Sequence, residues 1–178
     1  GQLQDSPTVC GATWQKKFHA AGFAPFLFFD LDASAEVRGD GAGMSVKNPE
    51  EAKLVSNIYR TIRAVCAEND ELPKTPGPWA AVITPYTEQL FELKRRFEYA
   101  GWSGEVELNT VDAFQGQEQD VVILSTVRAG AGGRIGFLSD ARRLNVAMTR
   151  AKYGCYLVGR RRTLEKDPSW GALLRRAE

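Results

Sequence analysis

The sequence predicts an α/β domain with a mostly parallel sheet covered by helices on both faces. Three observations carry this. Short β-branched apolar runs, among them AAVIT at 80–84 and VVIL at 121–124, are bounded by turn or polar residues, as buried strands are. Apolar residues at helical spacing fill the segments between several of them. Strand and helix signals then alternate along the chain, the pattern of parallel strands joined by helical crossovers. At 178 residues the chain is about one domain by the length prior of roughly 100–200 residues each. A chain of that size buries about 70% of its unfolded surface, enough for a sizeable core.

In order, residues 1–24 form an irregular lead-in carrying Pro7, Gly11 and Gly22. The aromatic run PFLFFDL at 25–31 is a strand; its phenylalanines read as core rather than a base-stacking platform, because the run is nearly continuous. Residues 32–46, with Gly39, Gly41 and Gly43, read as a loop. Asn48 caps a helix with Pro49 in its first turn, and Glu50 and Glu51 favour its positive end. Val55, Ile58, Tyr59, Ile62, Val65 and Cys66 give that helix one core-facing stripe. Residues 73–78 (PKTPGP) are a stiff surface loop. After the strand at 80–84, a helix through Ala100 turns Leu90, Leu93 and Phe97 inward and stops at Gly101. Strands follow around 106–111 and 121–127, then a Gly-rich flexible loop at 129–133. A helix at 140–152 places Leu144, Ala147, Met148 and Ala151 inward, a strand covers 153–159, and Trp170, Leu173 and Leu174 bury a short amphipathic tail. No internal repeat interrupts this order.

Composition excludes several classes. Lys+Arg is 23 and Asp+Glu 22, so the net charge of +1 gives no global attraction to nucleic acid, and any basic surface is local. The three cysteines are far apart and there is one His, so neither a metal site nor a disulfide framework is expected. Cys155 reads as a small buried hydrophobe. No apolar run approaches the ~18 residues of a membrane helix, and no signal peptide is visible. No membrane partner is expected, and a nuclear or cytoplasmic protein fits.

Two motifs carry the chemistry. The first is TVDAFQGQE at 110–118, a Gly-bearing acidic turn leading into an apolar strand. The second is RRLNVAMTRAK at 142–152, a basic segment leading into another. Loops at the ends of such strands are where α/β folds place their sites. Together with Ser125, Val127-Arg128 and GFL at 136–138, these stretches closely resemble motifs V and VI of superfamily 1 helicases. The nearest branch is that of the nonsense-mediated-decay RNA helicase and senataxin. Thr84-Pro85-Tyr86 and Gln89 match that family's ITPYxxQ element, and the likeness runs from about Gln2 to Leu174. Motif IV, with its nucleotide-contacting Arg, is absent here and would lie upstream, so a piece of a longer protein is expected.

The resemblance implies a RecA-like, P-loop-NTPase-type three-layer fold, a single second RecA-like domain over 1–178 with its core at 25–178. The chain has no GxxxxGK[ST], and its GDGAG at 39–43 lacks the Lys-Ser/Thr that would make it a phosphate loop. ATP with Mg2+ would be bound mainly by the first RecA-like domain of the same protein, which is missing here. Arg150 matches the arginine finger, whose planar fork stabilises charge on the γ-phosphoryl group and is worth roughly 10³–10⁵ in rate. The bland alternative is that it pairs with a local acid such as Asp140 or is solvated. Arg142 and Arg143 either approach the nucleotide or form structural ion pairs. Glu118 falls where motif V contacts ribose hydroxyls, Gly116 would admit backbone close to the ligand, and Gln115 would orient them. Thr84, Pro85, Tyr86, Thr110, Ser125 and Arg128 fall where the family grips a single strand of RNA or DNA by its backbone. Pro85 reads equally as the start of the next helix, and Ser125 as an ordinary strand hydroxyl. The implied function is the second half of an ATP-dependent helicase, inactive alone. The rival is a freestanding, non-catalytic nucleic-acid or protein-binding module.

Overall fold

A computed structural model of the chain describes residues 22–39, 45–68, 78–114, 116–130, 132 and 135–176, with backbone only at 141–144. Most of the lead-in, the loop at 73–77, and Gln115 lie outside these residues. The elements are β1 (Phe26–Asp30), β2 (Val37–Arg38), β3 (Val46–Lys47), α1 (Pro49–Glu68), β4 (Ala80–Thr84), α2 (Thr87–Tyr99), β5 (Val106–Thr110), β6 (Gln119–Ser125), a 3-10 turn (Gly136–Ser139), α3 (Ala141–Met148), β7 (Ala151–Gly159), α4 (Arg161–Leu164) and α5 (Pro168–Leu174).

The main sheet runs β1-β7-β6-β4-β5 and every pairing in it is parallel. Alternate residues of each strand face opposite layers. Val82, Ile123, Tyr156 and Val158 pack against Tyr59 and Ile62 of α1 and Leu93 and Phe97 of α2. Ile83, Val122, Leu124 and Leu157 pack against Phe114, Leu138, Ala147, Leu164 and Trp170 on the other face. The result is the expected three-layer α/β, RecA-like architecture.

Local chemistry sets the boundaries. The Asn48 Oδ1 accepts the Glu51 N–H at 3.1 Å, capping α1, and Pro49 opens its first turn. Gly101, at φ +73°, ends α2 as expected. Asp167 caps α5, and the Trp170 indole donates to the Leu138 carbonyl at 2.8 Å, tying the tail to the turn before α3.

Three expectations are corrected. Residues 32–46 are not wholly loop: β2 and β3 form a two-residue antiparallel pair, too short to leave a period in the sequence. The strand expected at 121–127 starts at Gln119 and ends at Ser125. The helix expected through Lys152 ends at Met148, and β7 begins at Ala151, where it pairs with Gln119. Arg150 therefore lies in a two-residue turn rather than on a helix.

Candidate functional site

The motif residues divide between the two ends of the sheet. The connection from β5 leaves the sheet's carboxyl end, where the N–H of buried Phe114 donates to the Thr110 carbonyl at 3.1 Å, and crosses to the amino end, where β6 starts. Gly116 then takes φ +80°, a conformation glycine adopts without strain, and exposed Glu118 leads directly into β6. On the neighbouring strand, the Arg150 turn leads into β7. The Gln119 N–H donates to the Arg150 carbonyl at 3.0 Å, so the two turns are adjacent.

Arg150 is half-buried. Its Nε donates to the Val146 carbonyl at 3.3 Å and its terminal nitrogen to the Thr149 hydroxyl at 3.4 Å. The guanidinium thus sits on the carbonyl end of α3, where a helix dipole favours positive charge. Among the described residues no carboxylate pairs with it, Asp140 included. Arg142 and Arg143 stand in the first turn of α3, and their side chains lie outside the described residues. Gln115 lies outside the described residues.

At the carboxyl end, about 20 Å away along the seven residues of β6, the remaining candidates gather. A cleft of about 510 Å³ is lined by Pro85, Tyr86, Thr110, Asp112, Phe137 and Asp140, among others. Thr110 is half-buried, and its hydroxyl accepts the Ala113 N–H at 3.3 Å. The Tyr86 ring is buried, its hydroxyl donates to the Ile135 carbonyl at 3.3 Å, and burial raises its pKa. Thr84 and Ser125 are fully buried beneath the cleft. The Thr84 hydroxyl accepts the Tyr86 N–H at 3.4 Å. Arg128 stands beside the cleft with its Nε 3.2 Å from Glu36.

The Ser125 hydroxyl is spent internally, so in this arrangement it braces the edge rather than facing a ligand. It donates to Glu51 Oε1 at 2.8 Å and accepts from Gln89 Nε2 at 2.9 Å. The same Glu51 oxygen accepts the Val127 N–H at 2.8 Å. Asn48 completes the cluster: its N–H donates to Gln89 Oε1 at 2.8 Å and its Nδ2 to the Val127 carbonyl at 3.2 Å. Burial pushes the Glu51 carboxyl up to about 8, partly offset by the hydrogen bonds from Val127 and Ser125. Val127 is held at φ +70°, an outlier for a β-branched residue that costs on the order of 1–3 kcal/mol.

Sequence reasoning missed this cluster and Phe137. The signal for Glu51 was present: it stands four residues before Val55 and continues the buried stripe of α1. Phe137 is 58% exposed and meets Tyr86 edge-on at 6.0 Å; it falls inside a motif stretch without being assigned a role. Among the described residues no group of His, Cys, Asp and Glu is placed to hold a metal ion, and no helix is long and apolar enough to cross a membrane.

Comparison with known proteins adds a family. A family model described as an AAA domain matches residues 1–162. The chain is 39% identical over 181 residues to the probable helicase MAGATAMA 3 of Arabidopsis thaliana, covering all of this chain and 22% of that protein. It is 45% identical to helicase sen1 of Schizosaccharomyces pombe, over 97% of this chain and 10% of the relative. It is 39% identical to the putative regulator of nonsense transcripts 1 of Takifugu rubripes, over 84% and 13%. The chain thus spans between a tenth and a quarter of the length of these relatives.

Proposed function

This chain belongs to the AAA-domain family and is a carboxyl-terminal, second RecA-like domain of the superfamily 1 helicase branch that includes the regulators of nonsense transcripts and senataxin, and from that membership we propose that it supplies the trans half of an ATPase site. In the proposal the whole of 1–178 is one such domain. Arg150 is the arginine finger, Glu118 takes the ribose hydroxyls, and Gly116 and Gln115 shape the turn that presents Glu118. ATP is the substrate, and its phosphates and Mg2+ are held mainly by a first RecA-like half; Arg142 and Arg143 either approach that nucleotide or form structural ion pairs. The carboxyl end, with Pro85, Tyr86, Thr110 and Arg128 over a base of Thr84 and Ser125, grips a single strand of RNA or DNA by its backbone. Closure of the two halves around ATP brings Arg150 to the γ-phosphate and shifts that grip against the other half's. The domain is inactive alone and acts in the nucleus or cytoplasm.

The single observation that supports this best is the adjacency of the Glu118 and Arg150 turns through the Gln119–Arg150 hydrogen bond. It sets the turn that bears Glu118 beside the turn that bears Arg150, whose guanidinium no described carboxylate neutralises. Hydroxyl and guanidinium contacts to phosphate position a strand without reading its sequence, so binding at the other edge is expected to be salt-sensitive and largely sequence-independent. Competition by deoxy-ATP tests the ribose contact in a helicase carrying this domain. Glu118→Ala is expected to erase any preference for ATP over deoxy-ATP; an unchanged preference would remove Glu118 from the site.

A further inference from the structure

We infer that Glu51 is a positioning residue for the strand-gripping edge: its buried carboxyl group fixes a left-handed turn at Val127 and so sets where Arg128 presents its guanidinium. The inference rests on the reading of Arg128 as a backbone contact and extends it to a residue of α1 that touches no ligand.

The geometry is specific. Past the end of β6, the Thr126 N–H still donates to the Val158 carbonyl at 3.1 Å. The Arg128 N–H then donates back to the Thr126 carbonyl at 2.8 Å, closing a three-residue turn with Val127 at its centre. With its central residue at φ +70°, this is the rare, strained hand of the γ-turn. A valine does not adopt it unaided, since its branched Cβ crowds the backbone there. Both polar backbone atoms of Val127 are held by the start of α1, the N–H by Glu51 and the carbonyl by Asn48. Ser125, on the same Glu51 oxygen, and Gln89, bridging Ser125 to Asn48, lock the carboxyl group in turn.

Without the turn, β6 would run on in extended form and Arg128 would leave the cleft edge. With it, Arg128 lies against Glu36 and beside the Tyr86 hydroxyl. A buried acid is an expensive way to hold a fold, because burial disfavours its charge; here it holds one strained turn next to a candidate phosphate contact.

The test is binding of a labelled single-stranded RNA oligonucleotide by a helicase carrying this domain across a salt series, with thermal melting of each variant. Loss of one phosphate contact lowers the slope of log K against log salt by about 0.7 on a single strand. Arg128→Ala is expected to show that loss. Glu51→Ala is expected to show the same loss, and the double variant no more than Arg128→Ala alone. Glu51→Gln, whose amide oxygen still reaches the Val127 N–H, is expected to keep the wild-type slope. Val127→Gly is expected to restore the slope in the Glu51→Ala background, because glycine holds a positive φ without a clamp. Should Glu51→Ala fail to fold, Glu51→Asp, one methylene short of Val127, is expected to lose the slope in its place. A purely structural Glu51 would lower melting while leaving the slope of the folded protein unchanged; that result, beside a loss in Arg128→Ala, overturns the inference. An unchanged slope in Arg128→Ala, or no binding by wild type, overturns the reading of this edge and the inference with it.

Discussion

The backbone N–H of Gln119 donates to the carbonyl of Arg150 at 3.0 Å, which joins the turn before β6 to the turn before β7. Two motifs more than thirty positions apart in sequence thereby share one edge of a parallel sheet. Everything proposed for nucleotide chemistry depends on that pairing, and everything proposed for the single strand lies at the sheet's other end.

The isolated chain is expected to release no phosphate from ATP above background. It carries no phosphate loop, and an arginine finger has no substrate to act on unless another half holds the triphosphate. A steady-state phosphate-release assay checks this; turnover abolished by Arg150→Ala would contradict it.

Glu51 makes stability depend on pH. Its carboxyl is pushed up to about 8 in the folded chain, against the ordinary value of 4.5 when unfolded. Between these values the folded state keeps a proton that the unfolded state has lost. This contribution to stability is therefore fully present below about pH 4.5 and falls as pH rises towards 8, by up to about 1.4 kcal/mol per pH unit. Urea denaturation at a series of pH values is expected to show the decline, and Glu51→Gln is expected to flatten it. A wild-type profile that Glu51→Gln leaves unaltered would assign the decline elsewhere.

In the proposed grip, Glu36 competes with phosphate for Arg128. Its Oε2 lies 3.2 Å from Arg128 Nε and also accepts the Ala129 N–H at 2.9 Å. Glu36→Gln keeps an acceptor for Ala129 but removes the charge. Single-strand binding at low salt is expected to tighten by up to about fivefold, the equivalent of about 1 kcal/mol for a partly exposed pair. Weaker binding in a folded variant would show instead that the pair builds the site.

Much of this was legible in the sequence. The apolar stripes of α1 and α2 and the β-branched runs of β4 and β6 state their own period, and parallel order follows from alternation. The adjacency of Glu118 and Arg150 was legible only through motif resemblance, because nothing local says that two turns start neighbouring strands. The α3–β7 boundary was not legible: Ala147 and Ala151 fit a helical stripe, while Ala151 also fits the start of a strand. The buried settings of Ser125 and Thr84 were not legible for another reason, since a serine or threonine at a strand end has the same letter whether its hydroxyl faces solvent or bonds inside the fold. Val127 is the extreme case, a strand-forming residue forced into a left-handed turn by Glu51 and Asn48, both distant in sequence.

The central claim is that Arg150 completes an ATPase site from the far side of the cleft. Its charge matters most as the γ-phosphoryl group loosens, so its loss belongs in kcat rather than in nucleotide affinity. The most direct measurement is single-turnover ATP hydrolysis by a helicase carrying this domain, comparing wild type, Arg150→Ala and Arg150→Lys, with thermal melting alongside. The account predicts a rate loss of roughly 10³–10⁵ for Arg150→Ala, melting and nucleotide affinity close to wild type, and poor rescue by lysine, whose point charge cannot make two parallel hydrogen bonds to phosphate oxygens. Hydrolysis by Arg150→Ala within a few-fold of wild type, or a defect explained by unfolding, would contradict it and turn attention to Arg142 and Arg143.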